Sequence, residues 1–82
     1  MESKIQAKII KKLEQQGYFV LKIIRCNKNG CPDLLALKDG RCFFVEVKTE
    51  TGVLSEIQKY RIDELKKFNI ETKIWTGYEC EK

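Results

Sequence analysis

The sequence predicts an α/β fold: a small mixed β-sheet flanked by two helices, in the order αβββαβ. Three observations carry this. An apolar stripe of helical period opens the chain, and alternating and β-branched segments around an Asp-Gly turn fill its middle. A Ser-x-x-Gln capping signal then starts a second helical stretch, followed by one last β-rich segment. With 82 residues there is material for one core, so a single domain over 1–82 is expected.

Residues 3–16 are the first helix: Ile5, Ile9 and Leu13 recur every four residues, and Ile10 widens the stripe. Lys4, Lys8, Lys11 and Lys12 take the wetter sides, and Gly17 suits a left-handed stop. Residues 18–24, aromatic and β-branched, form the first strand. Residues 25–31 contain Asn27, Asn29 and Gly30 and read as a loop with a basic rim. Residues 33–37 are a short strand, Asp39-Gly40 a two-residue turn, and 41–48 the returning strand. Ser55 caps the second helix and Gln58 completes the capping box. Its apolar positions are Ile57, Tyr60 or the aliphatic stem of Arg61, Ile62, Leu65 and Phe68. Residues 72–76 make the last strand, and the final residues are expected to fray. This order leaves open whether the helices cover both faces of the sheet or share one.

Sixteen basic against twelve acidic residues give a net charge of +4, a modest lean toward an anionic partner. Nucleic acid is favoured over membrane, because no apolar run approaches the roughly 20 residues of a spanning helix. The opening MESKIQAKII lacks the apolar core and cleavage site of an export signal, so an intracellular, cytoplasmic location is expected. The four cysteines, at 26, 31, 42 and 80, are not arranged as a four-ligand zinc site, and no histidine is present to complete one. Free reduced thiols are expected.

The turn leads to the chemistry. In a two-residue turn at Asp39-Gly40, Lys38 pairs with Arg41 and opposed residue numbers sum to 79. Asp33 then falls opposite Glu46. One face carries Asp33, Leu35, Leu37, Cys42, Phe44, Glu46 and Lys48, the other Leu34, Ala36, Phe43, Val45 and Val47. Both faces are mainly apolar, so the hairpin belongs in the middle of the fold. Carboxylates opposed across a ladder, with β-carbons about 4.5–5.5 Å apart, repel each other. A bridging cation, a protonated partner or another register would relieve this, and a divalent metal that prefers oxygen ligands is the most economical. Lys48, on the same face, can neutralise the pair or stabilise charge on a phosphoryl group. The Val47 carbonyl is a further candidate ligand. The plainer reading is an ordinary Glu-Lys salt bridge at a sheet edge; the aspartate following Gly30-Cys31-Pro32, and the apolar hairpin around it, weigh against that.

The segments GCPDLLAL, RCFFVEVKT and G-x-L-S-x-x-Q resemble the VRR-NUC family of the PD-(D/E)XK, restriction-endonuclease-like nuclease superfamily. The likeness runs from Glu2 to about Phe68. It implies a restriction-endonuclease-like core and a metal-dependent DNA endonuclease using Mg²⁺ or Mn²⁺. By the same resemblance Asp33 and Glu46 are metal ligands, Lys48 is the catalytic lysine, Glu2 is an additional metal or water ligand, and Gln58 is the glutamine that accompanies the signature. For Glu2 the plainer reading is a favourable acid in a first helical turn, and for Gln58 it is the capping box. Relatives of this stand-alone size are compared with viral and archaeal junction-cleaving enzymes that act as dimers. A homodimer acting on branched DNA such as a Holliday junction is therefore the expectation.

Candidate phosphate contacts are Arg25 and Lys28 in the loop, Lys4, Lys8 and Lys11 on the first helix, and Lys59 on the second. Each alone is more often a solvated surface cation. With no recognition helix or zinc finger in view, structure-selective cutting is expected over sequence-specific cutting. The competing readings are a catalytically silent DNA-binding domain and a small accessory subunit that binds a protein partner.

Overall fold

The computed structural model describes residues 2–77, apart from the side chain of Glu2. Cys80 and the end expected to fray lie outside the described residues. Helix α1 (Glu2–Gln15) is followed by strands β1 (Phe19–Lys22), β2 (Leu34–Lys38) and β3 (Arg41–Val47), helix α2 (Glu56–Lys66) and strand β4 (Thr72–Trp75). The αβββαβ order is the expected one.

Local chemistry sets the ends of these elements. Gly17 takes φ +92°, its amide donates to the Glu14 carbonyl and the Tyr18 amide to the Leu13 carbonyl, each at 3.0 Å. These two bonds close α1 in a Schellman motif that a residue with a β-carbon resists. Asp39 and Gly40, at φ +53° and +78°, form the left-handed two-residue turn that matches strand twist. Asn69 (φ +63°) ends the turn after α2 in the same way as Gly17, with the Ile70 amide on the Leu65 carbonyl.

The sheet order is β1-β2-β3-β4; β1, β2 and β3 pair antiparallel and β4 pairs parallel to β3. A parallel neighbour needs a crossover, and α2 is that crossover. Every β2–β3 pair, from Lys38↔Arg41 to Leu34↔Val45, sums to 79. On one face Leu34, Ala36, Val45 and Val47 are buried against Ile9 and Leu13 of α1. The leucine, isoleucine and valine side chains among these contribute about 1.5–3 kcal/mol each when fully buried. Glu46, between two of these valines, points to the other face and there meets Gln58 of α2. The helices therefore lie on opposite faces, and the hairpin is central.

Several boundaries differ from the expectation. Strand β1 stops at Lys22, whose partner Leu34 begins β2, so Tyr18, Ile23 and Ile24 stand outside it. Asp33 precedes β2, because its amide donates to the Val45 carbonyl at 3.1 Å, out of step with the ladder. Lys48 and Thr76 fall just past their strands. On α2 only Ile62 is buried, while Ile57, Tyr60 and Phe68 are exposed. The inward side of α2 is shared by polar groups, Gln58 and Arg61, with buried Ile62 and half-buried Leu65, and Phe68 lies beyond its last turn. The expectation of reduced thiols fails for one pair: Cys26 and Cys31 form a disulfide. Residues 27–30 bend the chain back on itself and leave the two α-carbons 6.7 Å apart, a spacing a bridge can span. Cys42 is free and exposed.

Candidate active site

Because β1 and β3 run opposite to β2, two loops leave the same end of the sheet: residues 23–33 between β1 and β2, and residues 48–55 after β3. Asp33, Glu46, Val47, Lys48 and Gln58 all gather at this end. Oδ2 of Asp33 accepts from the Val47 amide at 2.8 Å. The carboxylate thus caps a backbone donor of β3 instead of standing as a plain cross-strand partner of Glu46. The Asp33 carbonyl accepts from the Ile23 amide at 2.8 Å, which fixes the residue on its other side.

Glu46 is 2% exposed. A carboxylate so far out of water requires compensation. Part of it comes from Gln58, whose Nε2 donates to Glu46 Oε2 at 3.3 Å. The same amide closes the capping box: its Oε1 accepts from the Ser55 amide at 2.9 Å, while Ser55 Oγ accepts from the Gln58 amide at 3.2 Å. The capping box expected at Ser55 is present, and the same side-chain amide that offers its acceptor to the cap offers a donor to the Glu46 carboxylate. Lys48 is half-buried, and its amide donates to the Trp75 carbonyl at 3.0 Å, tying the end of β3 to β4.

The loop leading to Asp33 is clamped onto α2. A β-carbon on Gly30 (φ +79°) would lie 2.6 Å from the Ile57 carbonyl oxygen, so only glycine permits this approach. Beside it, Arg61 Nε donates to the Asn29 carbonyl at 2.9 Å, and Arg61 also pairs with Glu64. Sequence reasoning saw Arg61 only as a packing stem. The signal that was present was Gly30 itself, three residues before Asp33.

The basic candidates divide. Arg25 and Lys28 are exposed on the clamped loop. Lys59 is exposed on α2 and pairs with Glu56 at 3.6 Å. Lys4, Lys8 and Lys11 project from α1, on the other face of the sheet. The start of α1 is nevertheless near the site end: Ile5 packs beside Gly77, just past β4. That places the backbone of Glu2 toward the site; its side chain lies outside the described residues.

Among the described residues no group of three or more His, Cys, Asp or Glu gathers as a metal site. The oxygen donors brought to this end of the sheet are the Asp33 carboxylate, held by the Val47 amide, and the Glu46 carboxylate, held by Gln58, with the Val47 carbonyl following Glu46 in the chain. An all-oxygen set of this kind, one carboxylate buried and held in place by an amide, fits a hard divalent cation that keeps several waters. Among the same residues no helix is long and apolar enough to cross a membrane.

A solved structure described as a VRR_NUC domain superposes with a TM-score of 0.84 at 25% identity, covering 98% of this chain and 89% of that one. No curated protein sequence matches the chain. The family model of the VRR-NUC domain matches residues 1–79. With a family-model match over nearly its whole length and the fold in common, this chain belongs to the VRR-NUC domain family, a nuclease-associated group.

Proposed function

We propose that this chain is a divalent-metal-dependent endonuclease that hydrolyses DNA phosphodiester bonds, selective for branched duplexes such as Holliday junctions. The observation carrying this reading is the buried Glu46 carboxylate, held by Gln58 at the sheet end where Asp33 is fixed against Val47. Family membership supports it.

Asp33 and Glu46 hold Mg²⁺ or Mn²⁺, with the Val47 carbonyl and Glu2 as further ligands. When bound, the metal supplies a Lewis acid for the scissile phosphate and lowers the pKa of the attacking water. Gln58 orients Glu46 by its amide donor. Lys48 presents an ammonium to the phosphoryl group as negative charge builds there. Arg25 and Lys28 hold the DNA backbone beside the site, with Lys4, Lys8, Lys11 and Lys59 as outlying phosphate contacts. A homodimer brings two such sites to one junction, as two symmetric strand cuts require.

Cleavage of branched and linear DNA in Mg²⁺, in Mn²⁺ and in chelator tests this. Cutting that stops in chelator, and in Asp33→Ala and Glu46→Ala, is expected. Undiminished turnover in chelator or in either variant overturns the reading.

A further inference from the structure

The strongest unexplained feature near the site is Ile24, an aliphatic side chain 80% exposed. It belongs to no core. Its neighbour Ile23 donates its amide to the carbonyl of Asp33 itself, so Ile24 stands one residue from the candidate active edge. Exposed cations follow closely, Arg25 and Lys28. The loop carrying these residues is tethered at three points beyond Ile24: the Cys26–Cys31 disulfide, the Arg61 bond to Asn29, and Gly30 against the Ile57 backbone.

An exposed apolar side chain at the base of a tethered, basic loop has the chemistry of a group that enters a base stack. Such wedges separate neighbouring bases while basic residues hold the phosphates on either side. Inside a continuous duplex the wedge must break stacking; at a branch point stacking is already interrupted. We propose that Ile24 is such a wedge, and that it confers preference for branched over linear DNA. This rests on the nuclease reading and names how that site selects its substrate. Val53, on the neighbouring loop at the same sheet end, is equally exposed at 78%. Its loop is joined to α2 by the Ser55–Gln58 capping bonds and to β4 by the Lys48 amide, but no cation stands beside Val53 in the chain, where the nearest charged residues are Glu50 and Glu56. That makes Val53 the natural control.

The test uses a four-way junction carrying 2-aminopurine at the branch point, with Ca²⁺ in place of Mg²⁺ so that binding is read without cleavage. Unstacking brightens the probe. The parent protein is expected to brighten it, Ile24→Leu to retain the effect and Ile24→Ala to lose most of it. The ratio of single-turnover rates on junction and linear duplex should fall at least about tenfold in Ile24→Ala. Its melting temperature should match the parent, since the side chain is exposed. Ile24→Ala equal to the parent in brightening and in rate ratio overturns the proposal. So does an equal loss in Val53→Ala, or a change in subunit mass on light scattering in Ile24→Ala, which would make Ile24 a protein contact. A parent that brightens the probe yet cuts nothing in Mg²⁺ supports the wedge and overturns the nuclease reading instead.

Discussion

Asp33 serves the fold as well as the proposed chemistry. Its side chain satisfies the Val47 amide, so Asp33→Ala removes a charge and also leaves that donor without its partner. Loss of about 1–3 kcal/mol of stability is expected, measured by urea unfolding. Asp33→Asn retains an acceptor oxygen and should unfold near the parent midpoint, yet it should be as inactive as the alanine variant. An asparagine variant that cuts DNA normally would show that the carboxylate charge has no part in the reaction. Lys48→Gln keeps length and removes charge. A fall of at least about a hundredfold in single-turnover rate is expected, with DNA affinity little changed. A loss explained wholly by weaker binding would make Lys48 a phosphate anchor.

At the scale of elements, the loop of residues 23–33 and α2 work as one unit. The loop supplies Asp33 and α2 supplies Gln58, and the clamp at Gly30 and Arg61 fixes one against the other. Gly30→Ala forces a left-handed β-carbon against a backbone carbonyl that has little room to give. Destabilisation of about 1–3 kcal/mol is expected from such overpacking, with cleavage falling further than stability because the two halves of the site separate. Hydrogen exchange should show faster opening of residues 25–33 in that variant. Unaltered exchange there would mean that the loop is held by other contacts. The disulfide acts on the same loop: reduction by dithiothreitol is expected to lower the melting temperature, by an amount equivalent to about 2 kcal/mol for so short a bridge.

For the whole molecule, one 82-residue chain has a small core and a net charge of +4. Twice that charge, +8, on a dimer strengthens attraction to the DNA backbone. Light scattering at micromolar concentration is expected to give twice the 9.6 kDa chain mass. Cleavage of a four-way junction should exceed that of matched linear duplex. A strict monomer that cuts both substrates alike would remove the dimer and the junction preference together.

The parts legible in the sequence were those decided by neighbours in the chain. Helical period, the Gly17 stop, the capping box at Ser55 and the Asp39-Gly40 turn each depend on residues within about one turn of one another. The turn then propagates the register along the hairpin, so arithmetic alone brought Asp33 and Glu46 to the same end of two strands. What tertiary structure decided joins residues far apart. The two helices were assigned to opposite faces, Gln58 met Glu46 across 12 residues, and Arg61 met Asn29 across 32. None of these contacts leaves a period or spacing in the sequence. Even Asp33 was placed by such a contact, because past the last ladder pair its carboxylate found an amide donor on β3. Regular hydrogen bonding makes position predictable from number; where it ends, the nearest unsatisfied donor in three dimensions decides.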